Sequence, residues 1–387
     1  MSFNINTDYP SVAHLQRRAE MRMPRFAYEY LTEGCNEEIN LAKNTSDIHQ
    51  VELMPHYLRN YERSSIKKTL FGHEYDAPIG ISPMGLQSMM WPGTAEILAQ
   101  TSVKHNIPFV LSTVTTMSIE DAAKITSGKF WFQLYHPAER KITDDLLKRA
   151  KDGGCQVLVL VADVPTFGYR PKDIYNGLGM PPRTMMRNII SMVRHPRWLI
   201  ETIKHGRPIF NTMEKYMSKD MNLQELGEFM DKMYAGRLNE DKIKYIQDNW
   251  PGKVIIKGVA SCADTETAIN LGVDGIIVSN HGGRQLDAGP SAIKTLSPIV
   301  EKYSGQIEIM MDSGMRTGPD VARVLASGAA FAFLGRPFMY GTAALGKKGG
   351  DQVATILKRE LQQVMEQLGC RHLADLPDHL MKEGENL

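Results

Sequence analysis

The chain lacks most of the features that would place it in a membrane, in an oxidising compartment or on nucleic acid. Its four cysteines, Cys35, Cys155, Cys262 and Cys370, are scattered and form no CxxC pair, so neither a disulfide framework nor a metal site is predicted. The formal net charge is only +1, far from the strongly basic balance of a nucleic-acid-binding protein. No stretch reaches about 18 uninterrupted apolar residues, so no membrane-spanning helix is predicted.

Targeting signals are missing as well. The first residues, MSFNINTDYPSVAHLQRRAE, contain no apolar segment of a secretory signal, and the last ones, KEGENL, match no peroxisomal or retention tripeptide. We therefore expect a cytoplasmic protein. Hydrophobic residues make up 42% of the 387 residues and charged residues 23%, which is ordinary for a globular protein with a large core. The length fits one domain over residues 1–387 if that domain is a barrel of alternating strands and helices.

Eight short apolar segments predict the strands of a parallel sheet. They are apolar continuously rather than at alternate positions, as in strands buried on both faces. They are residues 78–82, 108–112, 130–134, 156–161, 253–257, 275–279, 307–312 and 330–335. Helical patterns lie between them, at residues 94–105, 118–126, 143–152, 240–249, 262–271, 291–303 and 319–326, and a long last helix is predicted from residue 351.

This alternation of strands and helices predicts an α/β fold, a (β/α)8 TIM barrel. The alternative, an open doubly wound sheet, needs a GxGxxG turn after an early strand, and none is present. Two segments lie outside the alternation. Residues 1–77 predict an N-terminal helical extension that packs on the barrel. Residues 162–239 form a long insertion after strand 4, at the end of the barrel where active-site lids are built.

Two glycine-rich turns follow the last two predicted strands. They are DSGMR at residues 312–316 and LGRP at residues 334–337. Loops after strands seven and eight bind phosphate in many barrels, and Arg316 and Arg336 add positive charge to backbone N–H groups that glycine leaves accessible. The turns therefore predict a phosphate site. Ordinary turn glycines with surface arginines are the alternative.

The segment SNHGGRQLD at residues 279–287 is the densest motif. A lone histidine is more often structural than catalytic, but His281 follows a strand and precedes Arg284 by three residues. An imidazole beside a guanidinium can take a proton from a substrate whose carboxylate the arginine binds. Asp163, after strand four, is positioned to orient that imidazole or to stabilise its charged form. Lys257, after strand five, adds a cation at the same end of the predicted barrel. The alternative is that it forms only a salt bridge.

With these motifs in this order, the chain resembles the FMN-dependent L-2-hydroxy acid oxidases and dehydrogenases. That family includes glycolate oxidase, lactate oxidase, flavin-type L-lactate dehydrogenase and mandelate dehydrogenase. The similarity extends from YEYLTEG to LGCRHL, SNHGGRQLD is highly specific, and FQLY, IKG, DSGMR and LGRP support it. The resemblance implies a (β/α)8 barrel, FMN as cofactor, and oxidation of a small L-2-hydroxy acid such as lactate, glycolate or mandelate to the 2-oxo acid. It also implies a homo-oligomer, since tetramers are common in the family.

The same resemblance assigns roles to individual residues. His281 corresponds to the catalytic base, Asp163 to its carboxylate partner, and Tyr135 to a tyrosine near the substrate hydroxyl or carbonyl group. The positions that bind the substrate carboxylate are Arg284 and Arg170, with help from Tyr30. The positions around the flavin ring are Pro83, Met84, Gly85, Ser112, Gln133 and Lys257. The remaining cofactor positions are Ser279 and, at the ribityl and phosphate end, Asp312, Gly314, Arg316, Gly335 and Arg336.

Three positions bear on the electron acceptor and the substrate. Gly85 corresponds to the glycine of mandelate dehydrogenase rather than the alanine of several oxidases. It favours a dehydrogenase that passes electrons to a quinone or another carrier, over an oxidase that converts O2 to H2O2. Val161 stands where the family usually has threonine, which removes one hydroxyl contact to the flavin. Val114 stands where glycolate oxidase has tryptophan, which leaves more room for the substrate.

Two other classes of function stay open at this point. An FMN-dependent isomerase acting on a diphosphate would keep the phosphate turns but would not need an arginine three residues after His281. A non-catalytic phosphate-binding barrel would carry no flavin, so that the purified protein would not be yellow.

Residues 182–207 of the insertion, PRTMMRNIISMVRHPRWLIETIKHGR, interleave lysine and arginine with Met, Ile and Trp and contain one acid, Glu201. The pattern suits a pair of interfacial helices broken at Pro196. Such a pair would rest on the inner membrane surface, from which a quinone would reach the active-site mouth. The alternative is a lid whose apolar side packs on the barrel or on a neighbouring subunit.

Overall fold

The computed structural model describes residues 5–58, 64–137, 139–179, 182–206, 208–217, 225, 229 and 236–381. The described part of the N-terminal segment forms helices α1 (Ile5–Asp8), α2 (Val12–Arg22), α3 (Arg25–Thr32) and α4 (Ile39–His49). The Ser11 side chain caps α2 by accepting a hydrogen bond from the His14 N–H. The predicted helical extension is therefore present, although residues 1–4 and 59–63 of it lie outside the described part of the chain.

All eight predicted apolar segments form parallel strands. They are β1 (Ile79–Ile81), β2 (Val110–Ser112), β3 (Trp131–Leu134), β4 (Val157–Val161), β5 (Lys253–Val259), β6 (Gly275–Val278), β7 (Glu308–Met311) and β8 (Ala332–Leu334). From β2 to β8 each strand pairs with the next in chain order, and β8 pairs with β1. A parallel bridge between Ile81 and Phe109 joins β1 to the start of β2. The sheet thus closes into the predicted (β/α)8 barrel.

Helices follow the strands at the predicted places. In chain order they are α5 (Gln87–Met90), α6 (Thr94–His105), α7 (Ile119–Thr126), α8 (Arg140–Asp152), α9 (Pro171–Tyr175), α10 (Met186–Arg194), α11 (Pro196–His205), α12 (Glu240–Asp248), α13 (Cys262–Asn270), α14 (Ala292–Tyr303), α15 (Gly318–Ala326), α16 (Arg336–Leu345) and α17 (Gly349–Leu368). The helix predicted from residue 351 is α17, which begins two residues earlier. Helix α16, which directly follows β8, is not predicted from the sequence.

An antiparallel hairpin, also not predicted, closes the N-terminal end of the barrel. Its strands, Lys68–Leu70 and His73–Tyr75, are joined by Phe71 and Gly72, which both have positive φ, as in a type I′ turn. The hairpin packs against side chains at the starts of the barrel strands, including Trp131. Because this end is plugged, the open mouth of the barrel lies at the C-terminal ends of the strands.

Helix α4 supports two loops at that mouth. Asn280, after β6, donates from Nδ2 to the side-chain oxygens of Asn40 at 2.5 Å and Asn44 at 2.7 Å. The Thr45 hydroxyl donates to the Gly314 carbonyl, after β7, at 2.9 Å. The N-terminal extension therefore fixes the positions of the loops that carry the predicted histidine and one phosphate turn.

The insertion after β4 contains α9, α10 and α11 and rejoins the barrel at α12. Its residues 180, 181, 207, 218–224, 226–228 and 230–235 lie outside the described part of the chain. Trp198 anchors α11 to the barrel, since it is buried and its Nε1 donates to the Met90 carbonyl at 3.0 Å. Lys215 and Tyr216 anchor the later part of the insertion to Asp145 of α8. Over the described ranges, no helix is both long and apolar enough to cross a membrane.

Candidate active site

A cleft of about 1140 Å³, partly open to solvent, lies at the C-terminal ends of the strands. The predicted site residues that line it are Tyr30, Pro83, Met84, Gly85, Ser112, Gln133, Tyr135, Arg170, Lys257, His281, Arg284, Asp312, Gly314, Arg316, Gly335 and Arg336. The two other predicted residues, Asp163 and Ser279, lie behind this lining and bond to His281 and Lys257. Barrel closure thus brings residues from most of the chain to one mouth.

His281 is held through both its backbone and its ring. Its N–H donates to Ser279 Oγ at 3.0 Å, and its Nδ1 lies 2.9 Å from Asp163 Oδ1. Its φ of 57° lies in the left-handed region, which residues other than glycine seldom adopt. Because an ionised carboxylate only accepts hydrogen bonds, Nδ1 carries the proton toward Asp163, and Nε2 is the ring nitrogen that can accept a proton.

A buried charge network surrounds Asp163. Lys257 Nζ donates to Ser279 Oγ at 2.9 Å and lies 3.1 Å from Asp312 Oδ2 and 3.8 Å from Asp163 Oδ2. Burial alone would raise the pKa of Asp163, but Lys257 and His281 hold that pKa below its usual value. Asp163 is therefore an anion at neutral pH, and it stabilises a positively charged imidazole ring.

A bulge in β5 makes room for this network. The pairing register shifts between Lys257 and Val259, and Gly258 has a φ of 98°. A Cβ atom on Gly258 would lie 2.5 Å from the Cβ of Asp163. Only glycine at this position lets Asp163 approach the end of β5 so closely.

Two arginines and an aromatic ring form a second group, which we call the arginine clamp (Tyr30, Arg170 and Arg284). The Cζ atoms of Arg284 and Arg170 lie 4.8 Å and 5.7 Å from the centre of the Tyr30 ring. Arg284 Nη1 donates to the Tyr30 carbonyl at 2.6 Å, which fixes the guanidinium to α3. Burial and the nearby charge of Arg170 lower the pKa of Arg284. Two guanidinium groups held this close favour an anion with two oxygens, such as a carboxylate.

Tyr135 follows β3 and places a phenol group at the cleft. Burial, and then the negative charge of Asp163, raise the pKa of its hydroxyl. Its backbone N–H donates to Thr113 Oγ1 at 3.2 Å, which holds the residue in place. The hydroxyl therefore stays protonated at neutral pH and can act as a hydrogen-bond donor.

The far end of the cleft carries positive charge without matching carboxylates. Arg336 Nε donates to the Leu31 carbonyl at 3.0 Å. Burial and the charge of Arg316 lower the pKa of Arg336 to about 9, and within the described residues neither arginine forms a salt bridge. Helix α16 begins at Arg336, so its first N–H groups add to the positive potential. This end of the cleft suits a phosphate group.

The middle of the cleft contains an amide with an unused donor. Ser112 Oγ donates to Gln133 Oε1 at 2.7 Å, whereas Gln133 Nε2 is buried without a hydrogen-bond partner in the described part of the chain. Pro83, Met84 and Gly85 line the same region. A buried N–H without a partner is unfavourable unless a ligand supplies an acceptor, so Gln133 indicates a polar ligand here.

Three further residues complete the site and are not predicted from the sequence. Gln285 Nε2 donates to the carbonyls of Asp163 and Thr166 at 3.1 Å and 2.9 Å, which ties the insertion to the loop after β6. Glu33 and Asp173 lie behind the arginine clamp. Gln285 belongs to SNHGGRQLD and could have been found from that motif. No local pattern distinguishes Glu33 and Asp173 from acids on the surface.

Comparison with known proteins identifies the family. The sequence model of the family described as FMN-dependent dehydrogenase matches residues 19–383. The chain belongs to this family. It is 34% identical over 375 residues to the (S)-mandelate dehydrogenase of Pseudomonas putida, a match that covers 97% of this chain and 94% of that protein. The resemblance based on the motifs is confirmed, and so are the predictions of an FMN cofactor and of an oxidoreductase.

Solved structures show that this member of the family shares its fold with both dehydrogenases and oxidases. The crystal structure of the monotopic membrane protein (S)-mandelate dehydrogenase matches with a TM-score of 0.90 at 34% identity and covers 96% of this chain and 99% of that one. A mandelate oxidase with (S)-2-phenylpropionate matches with a TM-score of 0.81 at 28% identity and covers 96% and 98%. The fold is therefore compatible with both kinds of electron acceptor, a carrier and O2.

Proposed function

We propose that this protein oxidises (S)-2-hydroxy acids with a large apolar side chain, such as mandelate, to the corresponding 2-oxo acids. The observation that carries the proposal is that His281, oriented by Asp163, lines the same cleft as the arginine clamp. One group accepts a proton and the other binds a carboxylate, which are the two requirements of this oxidation. A diphosphate isomerase has no need of such a clamp.

The cleft fits FMN at its far end and in its middle. Arg316 and Arg336, which lack carboxylate partners in the described part of the chain, would hold the phosphate with the turns at Gly314 and Gly335. Asp312 would hold the ribityl chain. Gln133, whose amide nitrogen is buried without an acceptor, would hold the polar edge of the ring with Ser112, Lys257, Ser279 and the segment Pro83 to Gly85. When bound, FMN accepts the two electrons that the substrate loses.

The residues at the mouth bind and orient the substrate. Arg284 and Arg170 hold its carboxylate by charge-assisted hydrogen bonds, and the Tyr135 hydroxyl donates to its 2-oxygen. His281 Nε2 accepts the proton that the substrate loses. Asp163 stabilises the resulting imidazolium, since its own carboxyl group stays ionised.

The substrate side chain meets apolar residues of the cleft. Met90, Val114, Val164 and Phe167 belong to its lining, and a phenyl group buries more apolar area against them than the methyl group of lactate does. The relatives named as (S)-mandelate dehydrogenase and mandelate oxidase support an aromatic substrate. Flavin-type L-lactate dehydrogenase activity stays the competing prediction.

Anaerobic mixing with a panel of 2-hydroxy acids tests this choice. We expect (S)-mandelate to reduce the flavin with a kcat/KM roughly 10- to 100-fold above that of L-lactate, because burying a phenyl group contributes about 1.5–3 kcal/mol. (R)-mandelate is the matched control and is expected to leave the flavin oxidised. Faster reduction by L-lactate or glycolate would contradict the large apolar pocket. A colourless protein that no hydroxy acid affects would favour the phosphate-binding barrel.

The same assay, repeated in air, addresses the acceptor, which we infer to be a quinone or another carrier. A Cβ atom on Gly85 would lie 2.8 Å from Val114 Cγ2, so the alanine of several oxidases does not fit here without a shift of that wall. Turnover is expected to be faster with a quinone or dye than with oxygen. Hydrogen peroxide formed in step with the 2-oxo acid would make the protein an oxidase.

A surface of the insertion suits contact with a membrane. We call it the outer face, and it consists of Met186, Ile189, Ile190, Val193, Ile200 and Ile203, all exposed on α10 and α11. Met186 and Ile203 are 70% and 73% exposed, whereas Trp198 is 4% exposed. The helix pair, which breaks between Arg194 and Pro196, thus packs on the barrel through Trp198, and the described residues of the chain leave the outer face uncovered.

Exposed basic residues lie on the same helices as the outer face, among them Arg197 of α11. Arg22 of α2 lies close to Arg197, and burial together with the neighbouring charges of Arg18 and Arg197 lowers the pKa of Arg22 to about 10. Such a cluster favours anionic lipid headgroups. The relative described as a monotopic membrane protein supports peripheral attachment. We therefore propose that residues 162–239 form a lid within the single domain 1–387, and that 182–207 rest on the inner membrane surface.

Flotation with anionic vesicles tests the membrane contact. We expect the wild-type protein to float at low salt, and less of it to float at high salt, because screening weakens the arginine contribution. Replacing Val193 and Ile203 with serine is expected to abolish flotation while flavin content is unchanged. Val103→Ser removes another exposed apolar residue, from α6, and should float like wild type. If wild type stays at the bottom and sediments as an oligomer that the double variant dissociates, the outer face is a subunit interface of the predicted homo-oligomer instead.

A further inference from the structure

Two carboxyl groups lie behind the arginine clamp, Glu33 of the α3 C-terminus and Asp173 of α9. They are 1% and 3% exposed, and neither is among the residues that line the cleft. Arg284 Nη2 lies 3.7 Å from Glu33 Oε1 and 4.0 Å from Asp173 Oδ2, and Arg170 Nη1 lies 3.1 Å from Asp173 Oδ2. The two acids therefore face the same guanidinium group and are within hydrogen-bonding reach of each other.

These carboxyl groups have ion-pair contacts with Arg170 and Arg284 but lack the well-aligned hydrogen-bond donors that two buried anions would need. None of their four oxygens accepts a hydrogen bond of good geometry from a described residue. A buried carboxylate without donors is strongly destabilised. If the pair shares one proton, one carboxyl group donates to the other and both gain a partner. Burial and the hydrogen bond to Asp173 accordingly raise the pKa of Glu33 to about 9.

The net charge of the cluster formed by Arg170, Arg284, Glu33 and Asp173 leads to the same conclusion. With Glu33 and Asp173 both ionised, they would neutralise Arg170 and Arg284, and a substrate carboxylate would add unbalanced negative charge to a buried site. With one shared proton, the cluster keeps one net positive charge for the substrate. Among the described residues, the other titratable or charged groups that face the cluster are Tyr30, Cys35, Tyr135, Arg336 and the partly exposed Lys172–Glu38 ion pair.

We propose that Glu33 and Asp173 share one proton and thereby keep the arginine clamp positively charged, so that Glu33 is a positioning residue for carboxylate binding. The proposal takes one premise from the proposed function, namely that the substrate carboxylate binds to the arginine clamp. Glu33 acts through Arg284 and does not touch the substrate. Once the pair loses its proton at alkaline pH, the clamp is neutral and carboxylate affinity falls.

The pH dependence of KM distinguishes this role from a merely structural one. In wild type, KM is expected to rise toward about tenfold per pH unit above about pH 9, while kcat changes less. Glu33→Gln cannot ionise and should keep a flat KM over the same range. Glu38→Gln makes the same change in a nearby acid whose partners are Lys172 and the Gly34 N–H, and because the glutamine oxygen still accepts from that N–H, this variant should keep the alkaline rise. If the KM of Glu33→Gln still rises at alkaline pH, the proposal is wrong.

Binding of benzoate, which cannot be oxidised, provides a readout without turnover. Calorimetric titrations of the holoenzyme near pH 9.5, in two buffers of different ionisation enthalpy, should show wild type taking up most of a proton per benzoate and Glu33→Gln taking up none. No uptake by wild type, or equal uptake by both, overturns the proposal. If proton uptake depends on Glu33 but the protein oxidises no 2-hydroxy acid, the proposed function is refuted and the shared proton is not. If Glu33→Gln does not fold, Asp173→Asn, which also leaves a single negative charge, takes its place.

Discussion

Replacing His281 with glutamine is expected to lower the rate of flavin reduction by roughly 10²–10⁴-fold, the contribution of a general base. Glutamine keeps a polar side chain of similar length but has no ring nitrogen that accepts a proton. Asp163 and the arginine clamp stay in place, so substrate and benzoate should bind with nearly unchanged Kd. Anaerobic stopped-flow measurement of flavin bleaching at saturating substrate gives the rate, and equilibrium titration gives the affinity.

His136→Gln is the matched control for this prediction. His136 is buried at the C-terminal side of β3, and its Nε2 lies 3.0 Å from the Gly236 carbonyl, but it does not line the cleft. Its glutamine variant should reduce flavin at the wild-type rate. If His281→Gln reduces flavin as fast as that control does, His281 is not the base, and the proton goes to another group.

Replacing Arg284 with lysine is expected to raise KM and lower kcat together, with a loss of roughly 10- to 100-fold in kcat/KM, since a charge-assisted hydrogen bond contributes about 1.5–3 kcal/mol. Lysine keeps the charge but not the planar fork. Arg284 also uses Nη1 to reach the Tyr30 carbonyl, and a single ammonium group cannot hold both that carbonyl and a carboxylate in the same geometry. Steady-state kinetics on the preferred 2-hydroxy acid measures both constants.

Arg187→Lys is the corresponding control on the insertion. The Arg187 guanidinium stacks 3.8 Å from the centre of the Tyr175 ring and does not line the cleft, so its variant should keep both constants. Unchanged kinetics in Arg284→Lys would place the carboxylate site elsewhere. A rise in KM with unchanged kcat would mean that Arg284 binds the ground state and the transition state equally well.

The barrel and most of its site follow from local sequence. Parallel strands buried on both faces need continuous apolar segments, and their C-terminal ends must meet at one mouth, so reading the residues after each segment locates the site. His281, Arg284 and the two phosphate turns lie in such positions. Their roles in catalysis and in binding remain predictions that the variants above test.

Two secondary-structure elements could not be predicted from the sequence, for a physical reason. Every residue of α16 from Pro337 to Ala344 is buried, so this helix has no polar face and no helical period in its sequence. The hairpin at residues 68–75 has strands of three residues each, too short for an alternating pattern to stand out. A hydrophobic period in the sequence reveals only helices and strands that are exposed on one side and long enough for the pattern to repeat.

The sequence by itself determined the fold class, the family, the cofactor and many of the residues that line the cleft, because each is encoded in short motifs or in local periodicity. Only the tertiary structure decided which groups without a motif come together. Glu33 and Asp173 are 140 residues apart in the chain and look like ordinary acids, yet folding buries both against Arg284. The tertiary structure also decided which apolar side of α11 is buried, since Trp198 is buried while Ile203, five residues later, is exposed. Burial and charge pairing depend on neighbours that are distant in sequence, and no local pattern records them.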